Sequence, residues 1–112
     1  MRRVLGLLAQ FQAGIIGPVA QEVLSGVPAA ANFHRISESL RFFPWIQLEE
    51  ADYVEAARGA NICVSSGIAY SGVDLLICAV ALRLDLTVIT ADQDFELYEK
   101  ALRVRIESVR TK

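Results

Sequence analysis

The stretch that decides the fold is GVDLLICAVALRLDLTVITADQDF, Gly72 to Phe95. Its first half is apolar on nearly every side from Leu75 to Leu84, the mark of a helix packed in the centre of a core rather than on its rim. Its second half, Leu86 to Thr90, is short and rich in β-branched residues, as a buried strand of parallel character should be. Ala91 to Gln93 turns the chain. Three carboxylates stand at the edges of these apolar segments: Asp74 at the start of the helix, Asp92 and Asp94 just past the strand.

The same periodicities extend in both directions. Downstream, Phe95 to Leu102 reads as a helix and Val104 to Ile106 as a final edge strand. Upstream, Val4, Leu7, Leu8 and Phe11 follow helical spacing, with Gly14 placed to end the helix. Ile15 and Ile16 form at most a short buried strand. Pro18 opens a helix through about Leu24, because its missing N–H would be unpaired in a first turn anyway, and Gly26 closes it. A further helix is expected over Ala31 to Phe42, stopped by Pro44, and Trp45 to Leu48 alternates like a short strand. Glu49, Glu50 and Asp52 suit the positive end of the next helix, which runs to near Val64. Ser65 to Gly72 is a turn-rich connection. Strands alternating with helices predict an α/β sandwich around a mostly parallel sheet, with ligands gathered beyond the carboxyl ends of the strands.

At 112 residues the chain is expected to be one domain. Its 54% hydrophobic content and mean hydropathy of +0.38 are high for a soluble domain and suggest burial in a partner interface. They do not imply a membrane span, since Arg83 and Asp85 interrupt the longest apolar run well short of the ~20 residues required. The start, MRRVLGLLAQ, lacks a small-residue cleavage pattern and reads as part of the mature chain, so the cytoplasm is the expected compartment. Cys63 and Cys78 form no metal-ligand motif and read as reduced core residues. His34 stands alone. The net charge of −2 argues against a broad nucleic-acid-coating surface, leaving Arg2, Arg3, Arg35, Arg41 and Arg58 as candidates for a local basic strip. No GxGxxG, P-loop, GxSxG or paired-histidine motif is present.

The carboxylates admit two readings. If Glu22, Asp74 and Asp92 converge, their repulsion demands a cation, and hard oxygen ligands select Mg²⁺ or Mn²⁺. Such a site can activate a water against a phosphodiester. Taken singly, each is also explained by helix capping, with Asp74 facing a helix dipole, Asp92 or Asp94 capping the helix near Phe95, and Glu22 merely exposed. Spacing alone does not force Asp74 to meet Asp92.

PVAQEVLSG, Pro18 to Gly26, followed by the Gly72 to Phe95 stretch, resembles the PIN-domain ribonucleases, particularly the VapC toxins of VapBC toxin–antitoxin pairs. In that family a P-x-x-x-E-x-L-x-G segment, a D-x-x-I-A-x-A helix and a strand ending T-x-D-x-D-F each carry acidic ligands. The resemblance runs in family order from about residue 4 to 107. It implies a PIN-like three-layer α/β sandwich. It implies that Glu22, Asp74 and Asp92 are the catalytic, metal-binding carboxylates for Mg²⁺ or Mn²⁺, with Asp94 a further metal position and Thr90 an auxiliary hydroxyl beside the site. RNA as substrate, an antitoxin protein as partner, and a homodimer or higher oligomer are likewise implied.

One departure stands beside these matches. The family opens with a strand ending V-D-T/S, whose aspartate is a central ligand, whereas no acidic residue precedes Glu22 here. By this resemblance the chain is truncated at its N-terminus and lacks the strand between the Ile15 and Leu86 segments. The two neighbours must then pair directly, or another chain must cover the exposed edge. The chain is then either a fragment of an active enzyme or a degenerate member that folds without cutting RNA. The rival functional readings are accordingly a noncatalytic PIN scaffold for dimerisation or antitoxin binding, and a small α/β ligand-binding domain whose aspartates are only caps.

Overall fold

In the computed structural model, residues 7–9, 12–90 and 92–108 are described. Their elements, in chain order, are β1 (Leu7–Ala9), β2 (Gln12–Gly14), α1 (Gly17–Ser25), α2 (Ala30–Leu40), α3 (Glu50–Ser65), α4 (Gly72–Leu84), β3 (Thr87–Thr90), α5 (Asp94–Leu102) and β4 (Arg105–Ser108). Four strands form one sheet in the order β2-β1-β3-β4. The β3–α5–β4 unit pairs in parallel, from Thr87 opposite Arg105 to Thr90 opposite Ser108, and a parallel bridge joins Ile15 to Trp45. The hairpin of β1 and β2 adds the antiparallel part, β1 also running antiparallel to β3 with Leu7 opposite Val88.

That hairpin corrects the helix expected over Val4 to Phe11. Val4 and Phe11 lie outside the described residues, but Leu7–Ala9 is strand. The reason is long-range. Without β1, one edge of β3 would present unpaired backbone groups next to the core, and pairing them outweighs a local helical spacing of little more than two turns. The position that the sequence reading left vacant, between the Ile15 segment and the Leu86 strand, is thus taken by a segment of the same chain. The expected Trp45 to Leu48 strand also shrinks to the single bridge at Trp45, with the Trp45 indole N–H donating to the Leu40 carbonyl (3.0 Å).

The helices follow their local signals closely. Pro18 sits in the first turn of α1, and Gly26 follows its last residue. At the start of α3, Asp52 accepts the backbone N–H of Glu49 at 2.9 Å, which satisfies one of the donors a helix N-terminus leaves open. Ser71 is the N-cap of α4, and Asp85 ends that helix in the left-handed region (φ 57°), allowing Leu86 N–H to reach back to the Ala81 carbonyl at 2.8 Å. Helix α4 buries Asp74, Leu75, Ile77, Cys78, Ala79, Val80 and Ala81, and is the centre of the core as its composition predicts. Ile15, Ile16, Val19, Leu40, Val88, Phe95, Tyr98 and Val104 belong to the same buried cluster. Full burial of each large aliphatic side chain contributes about 1.5–3 kcal/mol relative to exposure. Both thiols, Cys63 and Cys78, are buried and unbridged, and burial pushes the Cys78 thiol up to about 12. No helix among the described residues is long and apolar enough to cross a membrane.

Candidate functional site

The carboxyl end of β3 and the first turns of α4 and α5 meet at one corner of the fold. Asp74 is the third residue of α4 and is 1% exposed. Its backbone N–H points to the Ser71 hydroxyl at 3.5 Å, and its carboxylate lies at the positive end of the helix dipole. Tyr98, on α5, reaches across to this turn. Its hydroxyl accepts the Ser71 backbone N–H (3.3 Å) and lies 3.4 Å from Asp74 Oδ2. The ring packs edge-on against Phe95, centroids 5.2 Å apart at 84°. Burial, with the nearby charges of Asp74 and Asp94, pushes the Tyr98 hydroxyl up to about 12, so it is a neutral donor across the ordinary pH range.

At the end of β3, Thr90 is 3% exposed, and its hydroxyl accepts the Asp92 backbone N–H at 3.0 Å. Asp92 Oδ1 in turn accepts the Asp94 backbone N–H at 3.0 Å. These two bonds wind the chain from strand into helix, and they hold Asp92 half-buried with Asp94 exposed in the first turn of α5. Asp92 therefore does the capping work the sequence suggested, while the residue at the N-cap position, Gln93, makes no side-chain cap bond.

Of the residues singled out in the sequence, Asp74 and Asp94 share Tyr98 as a neighbour, and Asp92 and Thr90 are tied to Asp94's turn. Glu22 stands exposed on α1. Among the described residues no three His, Cys, Asp or Glu side chains are grouped to hold a metal ion, so Glu22, Asp74 and Asp92 do not form a ready-made cage. The donor chemistry nonetheless fits a hard cation. Mg²⁺ is commonly held by only one or two carboxylates, its other positions filled by water and substrate phosphate. Of the candidates for a basic strip, Arg35, Arg41 and Arg58 each bond a neighbour one helical turn away, Asn32, Glu38 and Glu55, and Arg2 and Arg3 lie outside the described residues.

Tyr98 escaped the sequence reading, which took Phe95 to Leu102 as a helix without singling it out. The signal was its spacing. A tyrosine three residues after a core phenylalanine faces the same buried side, and a buried phenol needs a polar partner.

With this geometry in place, the PIN domain family model matches residues 2–101. The chain belongs to the PIN domain family. Among solved structures, VapBC-1 from nontypeable Haemophilus influenzae is similar in fold, with a TM-score of 0.71 and 18% identity over 91% of this chain and 78% of that one. No curated protein matches by sequence. PIN domains are generally metal-dependent, which bears on the acidic corner directly.

Proposed function

We propose that this PIN domain is a VapC-type, metal-dependent endoribonuclease, working as the toxin of a toxin–antitoxin pair and hydrolysing RNA phosphodiester bonds. The observation that carries the reading is Asp74: a carboxylate 1% exposed, at a helix N-terminus, with the hydroxyl of Tyr98 as a neighbour it shares with Asp94. Burying a carboxylate is costly, and a position fixed from two helices is what a ligand needs.

In this reading Asp74, with Asp92 or Asp94, would hold Mg²⁺ or Mn²⁺, water and substrate phosphate filling the other positions, and Glu22 would stand as an outer acidic group. A divalent ion held there supplies charge stabilisation at a scissile phosphate and makes an attacking water easier to ionise. The chain's own contribution is placement. The N-terminus of α4 offsets the Asp74 charge, and Thr90 fixes the backbone from which Asp92 projects. The similarity in fold to VapBC-1 supports an antitoxin protein as partner, and a homodimer is the accompanying proposal.

A second reading, the noncatalytic interaction scaffold, is favoured by exposed apolar side chains such as Phe42 (89% exposed), Val64 (67%) and Trp45 (54%), which a partner would cover. Cleavage of a structured RNA by the purified chain in Mn²⁺, beside Asp74→Asn and an EDTA control, separates the two. Cleavage abolished in both controls supports the ribonuclease. No wild-type cleavage above the Asp74→Asn and EDTA background assigns the chain to the scaffold reading.

A further inference from the structure

The Tyr98 hydroxyl has one proton and two partners. Its partner at Ser71 is a backbone N–H, which can only donate, so the oxygen accepts there. The proton is left for Asp74 Oδ2, 3.4 Å away. The ring cannot swing out of this arrangement, being 1% exposed and held edge-on by Phe95. One hydroxyl on α5 therefore pins both the N-cap residue of α4 and the carboxylate three residues later.

We propose that Tyr98 is a positioning residue: by bonding Ser71 N–H and the Asp74 carboxylate together, it sets the orientation in which Asp74 meets a divalent cation. This rests on the ribonuclease reading above for its consequence in catalysis, but not for the geometry itself. Phenylalanine at this position would preserve the packing with Phe95 and delete only the hydroxyl. Ser71 N–H would lose this acceptor, and Asp74 would lose the hydroxyl's contribution to fixing its rotamer. Groups that orient metal ligands typically change metal affinity or activity by about 10–100-fold when removed.

The test compares the wild type with Tyr98→Phe in three measurements: hydrogen exchange at the Ser71 amide, calorimetric titration with Mn²⁺ alone, and RNA cleavage resolved into kcat and KM. The expected result for Tyr98→Phe is faster Ser71 exchange, Mn²⁺ affinity weakened about tenfold or more, and kcat lowered with KM for RNA unchanged. Unaltered Mn²⁺ affinity in a folded Tyr98→Phe chain would overturn the proposal, whatever happens to exchange. A wild type that binds Mn²⁺ but cleaves no RNA contradicts the ribonuclease reading alone, and the affinity change then decides the role of Tyr98. A wild type that neither binds Mn²⁺ nor cleaves overturns both.

Discussion

Arg83 holds Asp52 in a two-pronged ion pair, Nε to Oδ1 at 2.8 Å and a terminal nitrogen to Oδ2 at 2.9 Å, joining the last turn of α4 to the first turn of α3. Asp52 is 1% exposed and the Arg83 side chain 23%, so the pair is largely shielded from water. The same guanidinium reaches Glu49 at 3.2 Å and the Gln47 carbonyl at 3.2 Å. Arginine's planar fork suits this many acceptors at once. The one charge within the apolar run Leu75 to Leu84 is therefore what clamps the loop before α3 onto the core.

Removing one partner of a shielded ion pair strands the other. Arg83→Met should lower unfolding free energy by about 3 kcal/mol, read as a shift of the urea midpoint at unchanged slope. The double variant Arg83→Met with Asp52→Asn should lose less than the two single losses added together, since the groups act as one unit. Additive losses would mean that the pair does not couple.

The same pair sets a pH dependence. The hydrogen bonds from Arg83 hold the Asp52 carboxyl below its ordinary value of 3.8. A carboxyl depressed in the folded state contributes stability that is complete above its unfolded value, near pH 4, and is lost as the pH falls through the lower folded value. Urea midpoints of the wild type should therefore decline below about pH 4, and part of that decline should vanish in Arg83→Met. Identical acid limbs in the two proteins would show that Asp52 is not the group responsible.

Thr90 gives a more local test. Thr90→Val keeps the β-branched shape but removes the hydroxyl that accepts Asp92 N–H. The expected loss is about 1–2 kcal/mol of stability, together with reduced Mn²⁺-dependent cleavage. Thr90→Ser should restore most of both. Cleavage unaffected in Thr90→Val would remove Thr90 from the site.

Gly59 lies where α3 packs against α4 and the end of α5, and a Cβ there would stand 3.5 Å from Leu102 and 3.7 Å from Leu75, ordinary contact distances. Alanine is the better helix former by about 1 kcal/mol. Gly59→Ala should therefore raise the melting temperature slightly, and a fall would mean that the helices cannot accept the added methyl.

How much of this was legible in the sequence follows from the range of the forces involved. Helices α1, α4 and α5 and strand β3 carry their signals within a few residues: Pro18, the nearly all-apolar Leu75 to Leu84, and the β-branched run ending at Thr90. The hairpin β1–β2 did not, because its partner β3 lies about eighty residues downstream and only the folded sheet supplies it. Trp45 to Leu48 alternated like a strand, yet the Gln47 carbonyl is satisfied by Arg83 rather than by a ladder. Arg83 and Asp52 stood in plain view, one read as an interruption and the other as a dipole partner. Their pairing spans 31 positions, which no local period reveals. The acidic positions came from motif resemblance, whereas the hydroxyl joining Ser71 to Asp74 came only from the packing of α5 on α4.

The measurement that bears most directly on the central claim is an anomalous difference map from crystals of this chain grown with Mn²⁺. The account predicts a peak in contact with the Asp74 carboxylate and with Asp92 or Asp94, lost in crystals of Asp74→Asn. A Mn²⁺ peak that leaves Asp74 untouched, or none at saturating Mn²⁺, would contradict the claim that this corner is the metal centre.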